Sequence, residues 1–298
     1  MIDFNALKGD HMNEVQTKIL EIFKEVKKIC EKNNIRYFGI DGTCLGAVRH
    51  GGFIPWDDDM DIGVPVEDMG RLVNLLKKEL PDHLEIYSPF DRRNYMQLLI
   101  KVIDKRTTFV EELLSDYENA WSGVWLDIIP LVGVPNGKIR RKIFYYRNYI
   151  YRYLSLCLRQ DYLGKKLVPL QKIIKANVKK HRDKNFYMFK QLDMIEKHPF
   201  KDAELIFEGG FFNPNKWISR REFFNSSKKV KFEDIEIEIP YMKHEYLKMI
   251  YGEYMTLPNK EEREVHHGFV DLKKPYKYYV QNPNLVRDYF KDMKSNGK

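Results

Sequence analysis

Four aspartates within five positions, Asp57, Asp58, Asp59 and Asp61, run directly into the apolar residues Ile62 and Val64. No other stretch of the sequence restricts the fold as strongly. Carboxylates this close repel one another and resist burial, whereas the neighbouring Trp56, Met60, Ile62 and Val64 call for burial. A cation held among the aspartates is the expected resolution. A solvated acidic loop or a helix cap would also accommodate such a run, but the apolar flanks carry it into a core.

The rest of the composition describes a folded chain. Of 298 residues, 43% are hydrophobic and 32% charged, and 41 are aromatic, which excludes a disordered or fibrous polypeptide. No run reaches the ~18 to 20 apolar residues of a membrane-spanning helix, and the N-terminus lacks a signal-peptide layout, so action in the cytoplasm is expected. Cys30, Cys44 and Cys157 are scattered and odd in number, which fits neither a disulfide framework nor a zinc site.

Hydrophobic spacing predicts an amphipathic helix over 13–34, a strand over 35–41 and a helix after Gly42-Thr43, which Thr43 would cap. A strand over 59–64 would place Asp59 and Asp61 on one face by its period of two. A helix is expected over 67–80, strands at 84–87, 98–103 and 124–129, and a hairpin over 230–239. The resulting fold class is α/β (α+β): a mixed sheet flanked by helices, with an appended basic helical region. We place a catalytic core at 1–137, a basic helical insertion at 138–200 and a C-terminal part at 201–298.

A Gly-Thr turn followed about fifteen residues later by an Asp-x-Asp strand suits phosphate and metal. Backbone N–H groups around Gly42 and Thr43 can hold phosphate oxygens, and Asp59 and Asp61 can coordinate a hard divalent cation. Magnesium is expected, with manganese as a substitute. Asp127, a lone acid inside the apolar run 125–130, is the candidate third carboxylate, either completing a metal shell or taking a proton; a structural, hydrogen-bonded aspartate is the alternative.

The stretch Phe38 to Ile62, with Gly42-Thr43, Arg49 and Trp56-Asp57-Asp58-Asp59-Met60-Asp61, closely resembles the signature of the LicD family. That family lies within the nucleotidyltransferase-fold superfamily, and fukutin-related proteins are its distant relatives. Trp125-Leu126-Asp127-Ile128, Phe207-Glu208-Gly209 and Tyr251 to Pro258 resemble further blocks of it. The resemblance implies a nucleotidyltransferase-like core that transfers a phospho-alcohol, most typically phosphocholine from CDP-choline, to a sugar hydroxyl of a cell-surface glycan precursor of the teichoic acid, capsule or lipopolysaccharide type. It also implies catalytic and metal-binding roles for Asp59, Asp61 and Asp127, and donor-phosphate contacts for Gly42, Thr43 and Arg49. Asp57 and Asp58 would shape the loop or bind substrate, and Tyr251 and Tyr254 would stack on a base or enclose a quaternary ammonium. His266, with His267 and Arg263 nearby, would reach the donor.

From Lys138 to Lys190 the chain holds 16 Lys and Arg against two acids, although the whole carries only +8. Such a stretch suits an anionic membrane surface at the inner face, a polyanionic acceptor or nucleic acid; a solvated helical surface is the alternative. With a glycan acceptor assembled on a lipid carrier, the membrane is favoured and nucleic acid is not. Two other functions fit parts of the sequence: nucleotidyl transfer from an NTP, and a basic binding module without catalysis.

Overall fold

The computed structural model describes residues 12–90, 97–159, 185–209, 218–259 and 268–295, together with residues 176 and 263. Asn13 opens helix α1 (Glu14–Lys32) with a capping box: its side chain accepts the Gln16 amide at 2.8 Å while Gln16 Oε1 accepts the Asn13 amide at 3.0 Å. The buried face carries Val15, Ile19, Ile22, Phe23, Val26 and Ile29 at helical spacing. Gln16 has a second task. Its buried Nε2 donates to the carbonyls of Ile54 (3.1 Å) and Asp57 (2.7 Å), so α1 holds the loop that presents the aspartates.

After a short strand β1 (Phe38–Gly39) comes helix α2 (Asp41–Arg49), then β2 (Asp61–Pro65) and helix α3 (Val66–Glu79). The chain returns through β3 (Leu84–Tyr87), β4 (Ile100–Asp104) and β5 (Thr108–Glu111) to the long strand β6 (Trp125–Val134). Helices α4 (Lys138–Arg159) and α5 (Phe186–Ile195) follow, then β7 (Leu205–Glu208), β8 (Ile218–Arg220) and the hairpin β9 (Ser227–Phe232) and β10 (Ile235–Pro240). Helix α6 (Lys243–Tyr251), strand β11 (Gly268–Asp271) and helices α7 (Tyr276–Gln281) and α8 (Asn284–Ser295) complete the described chain.

Seven of these strands form one mixed sheet with the path β1-β2-β6-β4-β3, to which β7 and β8 are added beside β6. The β2–β6 pair is parallel and the other pairs are antiparallel. Strand β6 is the axis of the sheet. Its first half pairs with β4 as far as Ile128, and its second half pairs with β7 from Leu131. Pro130, which has no N–H to donate, falls at the change of partner.

The main apolar core packs α1, α2 and α3 with this sheet and with Phe232, Ile237 and Ile239 of the hairpin. Where α2 crosses the loop after it, a Cβ on Gly46 would lie 2.4 Å from the Gly52 carbonyl oxygen, so only glycine permits the backbones to meet. A second core lies under α4 and α5, with Phe144, Met188, Leu192 and Ile195 against Val132, Val134 and Phe207. The third joins β5, β11, α7 and α8 through Val110, Trp121, Phe269, Tyr279, Val286 and Phe290.

The α/β class expected from the sequence is the observed one. Two elements are shorter than their hydrophobic patterns: β1 covers only Phe38–Gly39, and β2 begins at Asp61. Strands β7 and β8 extend the same sheet as β1 to β4 and β6, so both sides of the basic segment share one core. The helix breaks expected near Gly164 and Pro169 lie outside the described residues.

Gln16→Leu keeps the volume of the side chain and removes both donors to the aspartate loop. The carbonyls of Ile54 and Asp57 then lose the Gln16 donor, Ile54 keeping only the Asp57 amide at 3.0 Å, and the variant is expected to lose about 1–3 kcal/mol of stability in urea unfolding with an unchanged m-value.

Candidate active site: a carboxylate cluster beside a helix start

In the parallel β2–β6 register Asp61 is directly opposite Asp127. In-register residues of parallel neighbours point to the same face, so the two carboxylates stand side by side on strands ~4.8 Å apart. Two hydrogen bonds fix this junction: the Asp127 amide donates to the Met60 carbonyl at 3.1 Å, and the Asp61 amide donates to Thr43 Oγ1 at 2.8 Å. Thr43 therefore does not cap α2. The N-cap is Ile40, without a side-chain cap bond, and Thr43 lies inside the first turn with its hydroxyl anchoring β2.

The sequence pattern predicts Asp59 and Asp61 on one strand face, but Asp59 precedes β2, so the strand pleat does not align the two. Its loop nevertheless carries it into the same field: Asp57, Asp61, Asp58 and Asp127 all act on its carboxyl. Asp57 reaches the start of α2. A Cβ on Gly42 would lie 2.9 Å from Asp57 Oδ2, and glycine leaves the first turn open to that carboxylate. Asp58 is buried.

Burial raises the pKa of Asp59, Asp61 and Asp127, and for Asp59 and Asp61 the neighbouring carboxylates raise it further. Lys101 Nζ, 3.9 Å from Asp127 Oδ1, opposes the rise, as does the Trp125 indole N–H donated to Asp127 Oδ2 at 3.2 Å. Lys101 itself lies 3.8 Å from the centroid of the Trp125 ring.

Behind this front stands a buried network that sequence reasoning missed: Asp41, Glu208 and Tyr246. The Tyr246 hydroxyl accepts the Asp41 amide at 3.1 Å and lies 3.0 Å from Glu208 Oε1 and 3.3 Å from Asp41 Oδ1. It holds Asp41 in the left-handed region (φ 48°) at the exact point where β1 turns into α2. One hydroxyl proton serves two acidic acceptors, and burial raises the Glu208 pKa to about 7. Glu208 follows the apolar Leu205-Ile206-Phe207, so the signal that singled out Asp127 applies equally to it. Tyr246 carries no such signal.

The other expected site residues are distributed unevenly. Tyr251, at the end of α6, is 37% exposed, yet burial of its hydroxyl raises its pKa, and Asp41, Asp57, Asp61 and Glu208 raise it further. Tyr254 turns instead to His244, stacking on its ring and bonding Nδ1 through the hydroxyl. Arg49 occupies the last turn of α2, the opposite end from Gly42. It donates to the Tyr254 carbonyl at 2.8 Å, and its guanidinium lies 6.0 Å from the Trp56 ring, over which Arg263 also sits at 4.6 Å. Burial, with the nearby Arg263 cation, lowers the Arg49 pKa. His266 and His267 lie outside the described residues.

The donor set fits a hard divalent cation by its chemistry, since it consists of carboxylate oxygens. Asp127 Oδ1 is buried and makes no hydrogen bond, its charged neighbour being Lys101 Nζ at 3.9 Å. Among the described residues no three acidic, cysteine or histidine side chains converge on one point. Asp59, Asp61 and Asp127 are the residues that would hold the ion.

Residues 34–173 match the family described as LicD/FKTN/FKRP, nucleotidyltransferase domain. The chain is 29% identical over 265 residues to the lipopolysaccharide cholinephosphotransferase LicD of Haemophilus influenzae, covering 86% of this chain and 96% of that protein. It is also 42% identical over 55 residues to the human ribitol 5-phosphate transferase FKRP, a match to 18% of this chain and 11% of that protein. An uncharacterized Rickettsia prowazekii protein, RP689, is 47% identical over 58 residues, 20% of this chain and 22% of the relative.

Because the folded-state pKa of Glu208 is raised, the folded protein binds more protons than the unfolded chain between the ordinary glutamate value and about 7. Stability in the presence of a chelator is therefore expected to fall as pH rises through that window, by up to roughly 3 kcal/mol from this group. Glu208→Gln should flatten that part of the pH–stability curve in thermal unfolding; an unchanged curve would remove Glu208 as its source.

Proposed function

We propose that the chain, which belongs to the LicD family, is a metal-dependent phosphotransferase that moves phosphocholine from CDP-choline to a sugar hydroxyl of a cell-surface glycan precursor, releasing CMP. The observation that carries this reading is the in-register pair Asp61 and Asp127 beside the uncapped start of α2. The near full-length similarity to a lipopolysaccharide cholinephosphotransferase supports phosphocholine as the transferred group and the acceptor class.

The chemistry is a displacement at phosphorus. The acceptor oxygen bonds to the phosphorus that carries choline, and the bond from that phosphorus to the CMP oxygen breaks. Magnesium or manganese, when bound, neutralises the donor diphosphate and stabilises the leaving oxygen. Asp127 or a loop aspartate receives the acceptor proton, a role suited to a carboxylate whose pKa lies above the ordinary value. The N–H groups of Gly42 and Thr43, in the first turn of α2, orient a donor phosphate. Since Asp57 lies over Gly42, a phosphate enters that space only with positive charge beside it.

Arg49 and Arg263, both facing Trp56, offer a second anchor for the anionic donor, and Trp56 a ring for stacking. Tyr251, placed between solvent and the carboxylates, is the aromatic side chain best situated to meet the choline ammonium. The short match to a ribitol 5-phosphate transferase favours testing a second alcohol, with CDP-ribitol as donor.

The test is CMP release from CDP-choline in the presence of magnesium and a lipid-linked glycan acceptor, compared with CDP-ribitol, CDP-glycerol and CDP-ethanolamine. Asp61→Asn and Asp127→Asn should each lower the rate by roughly a thousandfold or more. Without metal the same variants should unfold at equal or higher temperature, because each removes a charge from a repulsive cluster. Pyrophosphate release from an NTP, with no CMP from any CDP-alcohol, would replace this reading by nucleotidyl transfer.

A further inference from the structure

Helix α4 has two faces of opposite character. Phe144, Asn148, Ser155 and Cys157 are buried, and Asn148 Oδ1 accepts a hydrogen bond from Gln191 Nε2 of α5 at 2.7 Å. On the other side Ile139, Ile143, Tyr146 and Ile150 are 76%, 53%, 68% and 48% exposed. Their steps of four, three and four residues draw one line along the helix. Tyr149 widens it, with its ring stacked on Tyr153 at 6.4 Å. Water-exposed isoleucines aligned in this way mark a surface that is covered when the protein works.

The charge of the helix selects what covers it. Its 22 residues include seven Lys and Arg and no acid. Lys138, Arg140, Lys142 and Arg147 are exposed around the apolar line. We propose that α4 lies flat in an anionic lipid surface, with Ile139, Ile143, Tyr146 and Ile150 below the headgroups and the surrounding cations on lipid phosphates. Long basic side chains extend from an apolar face up to a charged layer without leaving it.

Other occupants fit less well. Two copies of this face set against each other would bring together two sets of cations with no acid on either helix. Nucleic acid would satisfy the cations and tyrosines, but it offers nothing to three isoleucines. No helix among the described residues is long and apolar enough to cross a membrane, which leaves α4 in the plane of the surface. The proposal stands on α4 alone and does not require the transfer chemistry.

Co-sedimentation of the full chain with vesicles tests it. Binding is expected to vesicles of phosphatidylcholine with one-third phosphatidylglycerol and to be weak with phosphatidylcholine alone. I143S/I150S and, separately, R140E/K142E should each reduce binding to the anionic vesicles by about tenfold or more, while the unfolding temperature stays at the wild-type value because all four positions are exposed. Failure of the wild-type chain to sediment with anionic vesicles would overturn the proposal, as would full binding by I143S/I150S. A concentration-dependent dimer that I143S/I150S abolishes would assign the face to a second copy. Tight, salt-sensitive RNA binding that survives I143S/I150S, without vesicle binding, would assign it to nucleic acid.

Discussion

The parallel pairing of β2 with β6 is the constraint on which the site depends. It sets Asp61 beside Asp127 at the point where two buried strands emerge from the core, and it does so against the repulsion of their carboxylates. What holds the register is apolar. Ile62, Val64, Ile128, Ile129 and Leu131 are all buried in the same core, and a slip of one residue would turn each of them to the opposite face. The hydrophobic part of the pair thus fixes the position of the charged part, Thr43 anchors the Asp61 backbone, and Lys101 and Trp125 moderate the electrostatic penalty at its end.

The surrounding structure transmits that fixed position to the loop. Gln16 ties the Ile54 and Asp57 carbonyls to the first turn of α1, and the close contact of Gly46 with Gly52 sets the path from α2 into the loop. From behind, Tyr246 holds the Asp41 backbone in a conformation that residues other than glycine seldom adopt. Three elements distant in sequence therefore converge on one turn and one loop. Such support is what a site needs if several carboxylates are to stay close enough to share one cation.

The parts of the fold that were legible in the sequence are those governed by local periodicity. The faces of α1 and α3, strand β3 at 84–87 and the β9–β10 hairpin follow from residue spacing alone. The aspartate run and Asp127 were legible because charge inside an apolar segment is conspicuous. The start of α2 was misread, since Thr43 is a good capping residue by type, but its hydroxyl is taken by the Asp61 amide 18 residues away. Asp59 was assigned to a strand because alternation continues through it, whereas pairing begins only at Asp61. The Tyr246 link to Asp41 spans 205 residues and leaves no local trace. Glu208 was within reach by the reasoning applied to Asp127.

The net charge of +8 conceals two fields of opposite sign. The carboxylate cluster lies at the Asp127 end of β6, and α4 begins four positions after the other end of that strand, at Val134. Seven residue steps along the strand separate Asp127 from Val134, about 20 Å, whereas salt at physiological strength screens exposed charge over ~8 Å. The cations at the start of α4 therefore do not relieve the crowding of the aspartates. Two consequences follow from this separation. The carboxylate cluster is left without charge compensation from α4 and, in the proposed reaction, would repel an anionic donor that arrives without a cation. The basic helix, for its part, stays free to meet a negatively charged surface, and the rigid strand between them holds that surface at a set distance from the site.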